Sequence, residues 1–276
     1  MDLSKEQIHR LRQMELDILK SFIYVCGQLN LNYFVVQGTL LGAVRHQGFI
    51  PWDDDIDVGM LREDYEIFLK KGQALMPEGY FIQTCNTDPE YPHGFAKIRN
   101  SKTAFVETTC KNLKMNHGIF IDVFPFDYYP AGRFSRMILN CRKLLLRYRI
   151  RCCLYIPEDK KLSFSNIVRN VLKALSKIIY PSLKRAIGKQ NELYNYRKKS
   201  NWMANYGSPW GKKECVPAEW IKETSSIEFE GIEVNVPAHY KEYLTHVYGN
   251  YMELPPPEKR IPHHYISFID FENAYR

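Results

Sequence analysis

The stretch QGTLLGAVRHQGFIPWDDDIDVGM, residues 37–60, sets four carboxylates, Asp53, Asp54, Asp55 and Asp57, within five positions. Like charges a few ångströms apart repel, and each loses hydration if buried, so the cluster is unfavourable unless a cation neutralises it. The alternation from Asp55 to Met60 predicts a strand with Ile56 and Val58 facing the core. Asp55 and Asp57 would then share the other face, about 7 Å apart, where both can approach one hard divalent cation. Asp53 and Asp54 fall in the approach to that strand and rank as supporting residues. The reading weighed against this is a solvated acidic turn, which Ile56 and Val58 disfavour by embedding the last acids in an apolar strand. An EF-hand is excluded, because its D-x-D-x-D-G spacing and closing glutamate are missing.

Upstream, the apolar run Tyr33–Val36 reads as a buried strand that ends at Gly38 and turns into a helical segment over residues 39–45. A glycine there permits a phosphate to approach backbone N–H groups, and the Thr39 hydroxyl can add a hydrogen bond. Arg45 offers a cationic fork for phosphate oxygens. A Gly-Thr turn followed by paired acids on the next strand is the layout of the nucleotidyltransferase superfamily.

Further outward, apolar spacing predicts helices over residues 5–29 and 62–74. Strands are expected over 80–84, 94–99, 104–107 and 118–124, separated by Asn, Asp, Pro and Gly. Residues 134–156 and 164–194 read as basic helices. A hairpin over 226–236 and a short helix over about 238–248 follow. The expected class is α+β: a mixed sheet with flanking helices and a basic helical insertion. The expected division is a catalytic core over 1–130, the basic segment over 131–200, and a C-terminal hairpin and helix over 201–276 that complete the same catalytic unit.

Composition bounds the classes open to the chain. Its 276 residues, 45% of them apolar, suffice for a buried core and exclude a disordered polymer. No apolar run reaches the roughly 18 residues of a membrane span. The charged, helical-looking N-terminus does not read as a secretory signal. Seven scattered cysteines without C-x-x-C spacing argue against a zinc ribbon or a disulfide framework, and suggest a reducing compartment. The net charge of +7 conceals a division, since residues 131–200 carry 18 Lys and Arg against three acids, a balance of +15, and the remainder carries −8. Such a segment suits an anionic membrane or a polyanionic polymer, or is simply a solvated helical face.

The 37–60 stretch resembles the signature of the LicD phosphotransferase family, to which the catalytic regions of fukutin and fukutin-related protein are also similar. The resemblance continues in FAKIRNSKT (95–103), GIFIDVFP (118–125), YLT (243–245) and YGNYMELPP (248–256), and is weakest over 131–200. It implies a nucleotidyltransferase-like fold that transfers an alcohol phosphate from a CDP-linked donor to a hydroxyl. For LicD proteins the donor is typically CDP-choline and the acceptor a cell-surface glycan, such as teichoic acid, lipopolysaccharide or capsule. For the fukutin relatives the donor is CDP-ribitol. Asp55 and Asp57 match the paired metal-binding acids, and Asp122 takes the place of the third carboxylate. Its plainer role would be that of an acid at a strand end before Phe124 and Pro125. Mg²⁺, with Mn²⁺ as an alternative, would sit on Asp55, Asp57 and Asp122. No Cys/His cluster supports carrying over a zinc site.

On this reading the acceptor hydroxyl attacks the distal phosphorus in line and expels CMP, and one of the acids, Asp122 first, takes the hydroxyl proton. Gly38, Thr39, Arg45, Lys97 and Arg99 are the candidate donor-binding residues. A choline head group would need aromatic faces, and Trp52, Tyr128, Tyr129 and Trp210 are the candidates. His46, His93, His117, His263 and His264 are individually expected to be structural, and Cys152 and Cys153 to be packed. Two other classes compete: a cytidylyltransferase making a CDP-activated donor from CTP, and a nucleic-acid-binding protein. Against the second, the basic segment is interleaved with Leu144–Leu146, Ile167–Val168 and Ile178–Ile179, which suits an amphipathic surface on anionic lipid. The expected partners are therefore a CDP-alcohol, a glycan or lipid-linked glycan acceptor and an anionic membrane, with no nucleic acid. The expected location is the cytoplasm or the inner face of the cell membrane.

Overall fold

The computed structural model describes residues 3–155, 164–208, 210–262 and 264–275. The chain opens with α1 (Lys5–Leu29), started by a Ser4–Gln7 capping box and stopped by Asn30 in the left-handed conformation. β1 (Phe34–Val35), α2 (Gln37–His46), β2 (Asp57–Leu61) and α3 (Arg62–Lys71) follow. β3 (Tyr80–Gln83), β4 (Ala96–Asn100), β5 (Ala104–Glu107) and β6 (Ile119–Tyr128) build the sheet region. The helices α4 (Arg133–Arg151), α5 (Phe164–Ile179) and α6 (Leu183–Tyr194) come next. β7 (Trp202–Asn205), β8 (Cys215–Pro217), α7 (Glu219–Lys222), β9 (Thr224–Phe229), β10 (Ile232–Pro237), α8 (Tyr240–Tyr248) and β11 (Ile266–Asp270) complete the fold.

β1, β2, β6, β4 and β3 lie in that order, and β7 joins β6 to β8, giving a seven-stranded mixed sheet among the described residues. β2 and β6 run parallel, whereas β1–β2, β6–β4, β4–β3, β6–β7 and β7–β8 are antiparallel. One face is apolar: Ile82, Ile98, Ile121, Val123, Val58 and Met60 are buried there. It is covered by α1, with Leu11, Ile18, Phe22 and Val25, and by Phe68 of α3. Phe22 meets Phe68 edge-on at 5.2 Å. Alternation turns the intervening residues, Asp57, Asp122, Phe120, Lys97 and Arg99, to the opposite face. The β5–β11 ribbon closes over that side, its Phe105 packing edge-on against Phe120 at 5.4 Å.

Two local expectations are corrected. The strand bearing the acids begins at Asp57, so Asp55 belongs to the loop before it and not to the same pleated face. The Arg12 guanidinium holds that loop, bonding the carbonyls of Ile50, Pro51 and Asp53 at 2.8–3.0 Å. Nor does the strand of Asp122 end at Phe124, for β6 runs on through Pro125 to Tyr128. Proline is tolerated because β4 pairs only with Ile119–Val123 and β7 only with Phe126–Tyr128, so Pro125 falls where neither neighbour needs its missing N–H. The β9–β10 hairpin turns at Glu230 (φ 51°) and Gly231 (φ 75°), the two positive φ values of a type I′ turn. Its tip docks on the end of α2, where Glu230 Oε1 accepts from the Phe49 N–H at 2.9 Å.

Candidate functional site

Strand register sets the heart of the site. Asp57 lies beside Asp122 on the parallel neighbour, and Lys97 lies beside Asp122 on the antiparallel one, so the three side chains stand in one row across β2, β6 and β4. Lys97 Nζ is 2.8 Å from Asp122 Oδ1 and 3.8 Å from Glu107 Oε2, above the Phe120 ring. Thr39 accepts the Asp57 N–H on its hydroxyl at 2.8 Å, fixing the start of β2 against the start of α2. At that turn Gln37 has φ 50°, and its buried side-chain nitrogen has no hydrogen-bond partner. Gly38 is required here, since a Cβ would collide with the Asp53 carboxylate. The Asp53 carboxylate thus packs against Gly38 at the start of α2.

The electrostatics follow from burial. Asp53, Asp55, Asp57 and Asp122 are all pushed above the ordinary carboxylate range, first by desolvation; neighbouring aspartates add to the rise at Asp55 and Asp57, Asp54 adds to it at Asp53, and at Asp122 Lys97 opposes it while Glu107 adds to it. Glu15 of α1, fully buried, is raised by the same burial and by Asp55, Asp54 and Asp53. His264 lies on the other side, Nδ1 at 3.3 Å from Asp54 Oδ1 and 3.9 Å from Asp55 Oδ2, and Nε2 at 3.9 Å from Glu107 Oε1. Burial alone would favour its neutral ring, but the Asp54 hydrogen bond and the charges of Asp55 and Glu107 push it up to about 9. Ligand atoms of Asp54, Asp55 and His264 all lie within 4.8 Å of one another, a donor set that could hold a divalent metal. A hard cation would relieve the repulsion that raises these acids, so the residues fit such an ion.

The remaining sequence candidates divide. Arg99 is completely buried, donating to Gln83 Oε1 at 2.5 Å and to the Gly118 carbonyl at 2.7 Å, with Glu107 at 3.4 Å; its guanidinium positions Glu107. Arg45 binds the carbonyls of Tyr251 and Glu253 at 2.7 and 3.2 Å, tying the YGNYMELPP segment to α2. Trp210 packs edge-on against Tyr248, whose hydroxyl is pushed above its ordinary range by burial first, then by Glu214 and by Asp57, Asp53 and Asp55. Trp52 lies under Arg260, Tyr128 lines a cavity of about 180 Å³ with Arg62 and Asp127, and Tyr129 packs with Tyr206 in a separate cluster. His93 is buried and pushed down to about 3 by desolvation and Lys97, while His263 lies outside the described residues.

Glu15, Glu107 and Glu214 were missed from sequence, and His264, named there among histidines expected to be structural, lies against the acids instead. Glu15 was open to detection, because an acid at the i+4 step between Leu11 and Leu19 breaks an apolar stripe. No local pattern marks the other three. Glu214, wholly buried, accepts the Tyr243 hydroxyl on both oxygens at 2.9–3.0 Å, and burial raises it to about 7 despite that bond. The unfolded chain releases this proton near the ordinary glutamate value of 4.5, so between the two values the native state holds more protons and loses stability as pH rises. Thermal melting of wild type and Glu214→Gln should therefore diverge across that window, the wild type losing roughly 3 kcal/mol relative to the variant. Parallel curves would mean that Glu214 stays ionised.

Residues 30–141 match the family model described as LicD/FKTN/FKRP, nucleotidyltransferase domain. The chain is 30% identical over 252 residues to the lipopolysaccharide cholinephosphotransferase LicD of Haemophilus influenzae, spanning 90% of this chain and 92% of the relative. The chain belongs to the LicD family. It is also 48% identical over 44 residues to the human ribitol 5-phosphate transferase FKRP, 15% of this chain and 9% of that one. An uncharacterized Rickettsia prowazekii protein, RP689, is 55% identical over 49 residues, 18% of this chain and 17% of that one. By name, the LicD relative is a cholinephosphotransferase and the FKRP relative a ribitol 5-phosphate transferase. The family model ends within α4, so it covers the acids and Lys97 and leaves out most of the basic segment.

Proposed function

We propose that this LicD-family protein transfers phosphocholine, or a related alcohol phosphate, from a CDP-linked donor to a hydroxyl of a cell-surface glycan and releases CMP. The observation that carries the reading is the row of buried acids: Asp57 and Asp122 in register on parallel strands, with Asp55 in the loop beside them. Family membership supports the same chemistry, and a nucleotidyltransferase-like fold is the frame we propose for it. Asp55, Asp57 and Asp122 would hold Mg²⁺, with Asp54 and His264 flanking; the ion supplies positive charge against the donor diphosphate. The acceptor oxygen forms its bond to the distal phosphorus as the bond to CMP breaks, and Asp122, made more basic by burial, takes the hydroxyl proton. Lys97 sets the orientation of Asp122, and Arg99 that of Glu107. The catalytic unit in this proposal is residues 1–130 with 201–276, supported by the β6–β7 pairing and by the entry of His264 into the site.

The seven cysteines are free thiols, which supports a reducing, cytoplasmic working place. The deciding assay incubates the protein with Mg²⁺ and CDP-choline, CDP-ribitol, CDP-glycerol, CDP-ethanolamine or CTP in turn. CMP release from a CDP-alcohol in the presence of a glycan acceptor is the expected result. Pyrophosphate from CTP would replace the proposal with a cytidylyltransferase.

A further inference from the structure

Helices α4 and α5 carry their apolar stripes on the outside. In α5, Val168, Val171, Leu175, Ile178 and Ile179 fall on one arc at 100° per residue, and all five are exposed, Ile178 by 77% and Val171 by 52%. The helix packs against α4 and buries Ser176 instead, whose hydroxyl turns back to the Lys173 carbonyl. α4 repeats the arrangement: Phe134, Met137, Ile138 and Leu144 are exposed, Phe134 by 69%, while Leu139, Leu146 and Ile150 face inward. A soluble helix normally buries such a stripe, so two adjacent ones turned outward mark a docking face.

The charge around the stripes identifies what covers them. Arg142, Arg147, Lys177, Lys184 and Arg185 are exposed on α4, α5 and α6, and the three helices contain a single acid, Glu192, which pairs with Lys189. A second copy of the chain would bring like charges together. A nucleic acid would match the charge and leave the apolar arcs wet. Apolar arcs flanked by bases match a lipid surface with anionic head groups, into which such helices sink lying flat. Among the described residues no helix is long and apolar enough to cross a membrane, so the contact is peripheral. We infer that α4 and α5 seat this protein on an anionic membrane surface.

Flotation with vesicles of phosphatidylglycerol and phosphatidylcholine, against phosphatidylcholine alone, tests this on the full chain and reads partition, independently of turnover. The wild type should float with the anionic vesicles at low salt and much less with the neutral ones. Each base near an anionic surface is worth about a fivefold factor, so Arg147→Glu with Lys177→Glu should weaken partition at least roughly 25-fold. Leu175→Glu with Ile178→Glu should weaken it at least about tenfold. Ile178→Ser, at a position so exposed that folding cannot depend on it, should weaken it measurably if the glutamate pair perturbs the fold. The inference is overturned if the wild type floats with neither vesicle, or if all three variants float like wild type. It is equally overturned by tighter binding to a polynucleotide than to vesicles, or by a dimer that the stripe substitutions dissociate.

Discussion

Asp57→Asn should lower transfer activity by at least 10²–10³-fold while leaving the protein as stable as wild type or more so. Both halves have one cause. Asp57 is buried among Asp55 and Asp122, and desolvation followed by their repulsion raises its pKa. An amide keeps the shape and removes the charge, so the repulsion is relieved in the unliganded protein. The Thr39 bond to the residue 57 backbone N–H survives the change. A site that stores repulsion until a cation and a diphosphate arrive should show this opposition of activity and stability. CMP release at saturating Mg²⁺ and the melting temperature, measured on one preparation, check it. Full Mg²⁺-dependent activity in the variant would remove Asp57 from the machinery, and a large fall in melting temperature would give it a structural role instead.

Lys97→Met should instead cost about 3–5 kcal/mol of stability, a fall in Tm of roughly 5–9 °C for a chain of this size. The ammonium, 2% exposed, bridges Asp122 and Glu107, and its removal takes from Asp122 its main counter-charge, leaving His264 as a weaker one. Glu107, which Lys97 first and then His264 and Arg99 hold below the ordinary carboxylate range against the pull of burial, loses its strongest partner but keeps the other two. The deficit should therefore trace to Asp122 and Glu107 and shrink on acidification, as the two carboxylates take up protons. Melting curves of variant and wild type at mildly acidic and neutral pH test this. An unchanged Tm with lost activity would return Lys97 to the role first read from sequence, a hand on the donor phosphates.

The acids, the Gly-Thr turn and the family signature were readable because they are local: four carboxylates in five positions, a glycine at a strand end, alternation into an apolar strand. The same local logic predicted α1, α2 and the β9–β10 hairpin. It placed Asp55 on the strand, since alternation says nothing about an arginine 43 positions upstream that clamps the approach loop by its carbonyls. It ended β6 at Phe124 because proline reads as a stop, and a gap between two neighbouring strands has no sequence signature.

What the sequence alone determined is the chemistry available: which carboxylates exist, their spacing, the family they mark, and a basic segment of +15 set in a body of −8. Only the tertiary structure decided which groups meet. Register between β2, β6 and β4 lined up Asp57, Asp122 and Lys97 from three distant segments, and the C-terminal strand brought His264 against Asp54, 210 residues away in the chain. The same structure decided that the apolar stripes of the basic helices face outward, since amphipathicity gives a helix two faces and only packing chooses which one meets solvent.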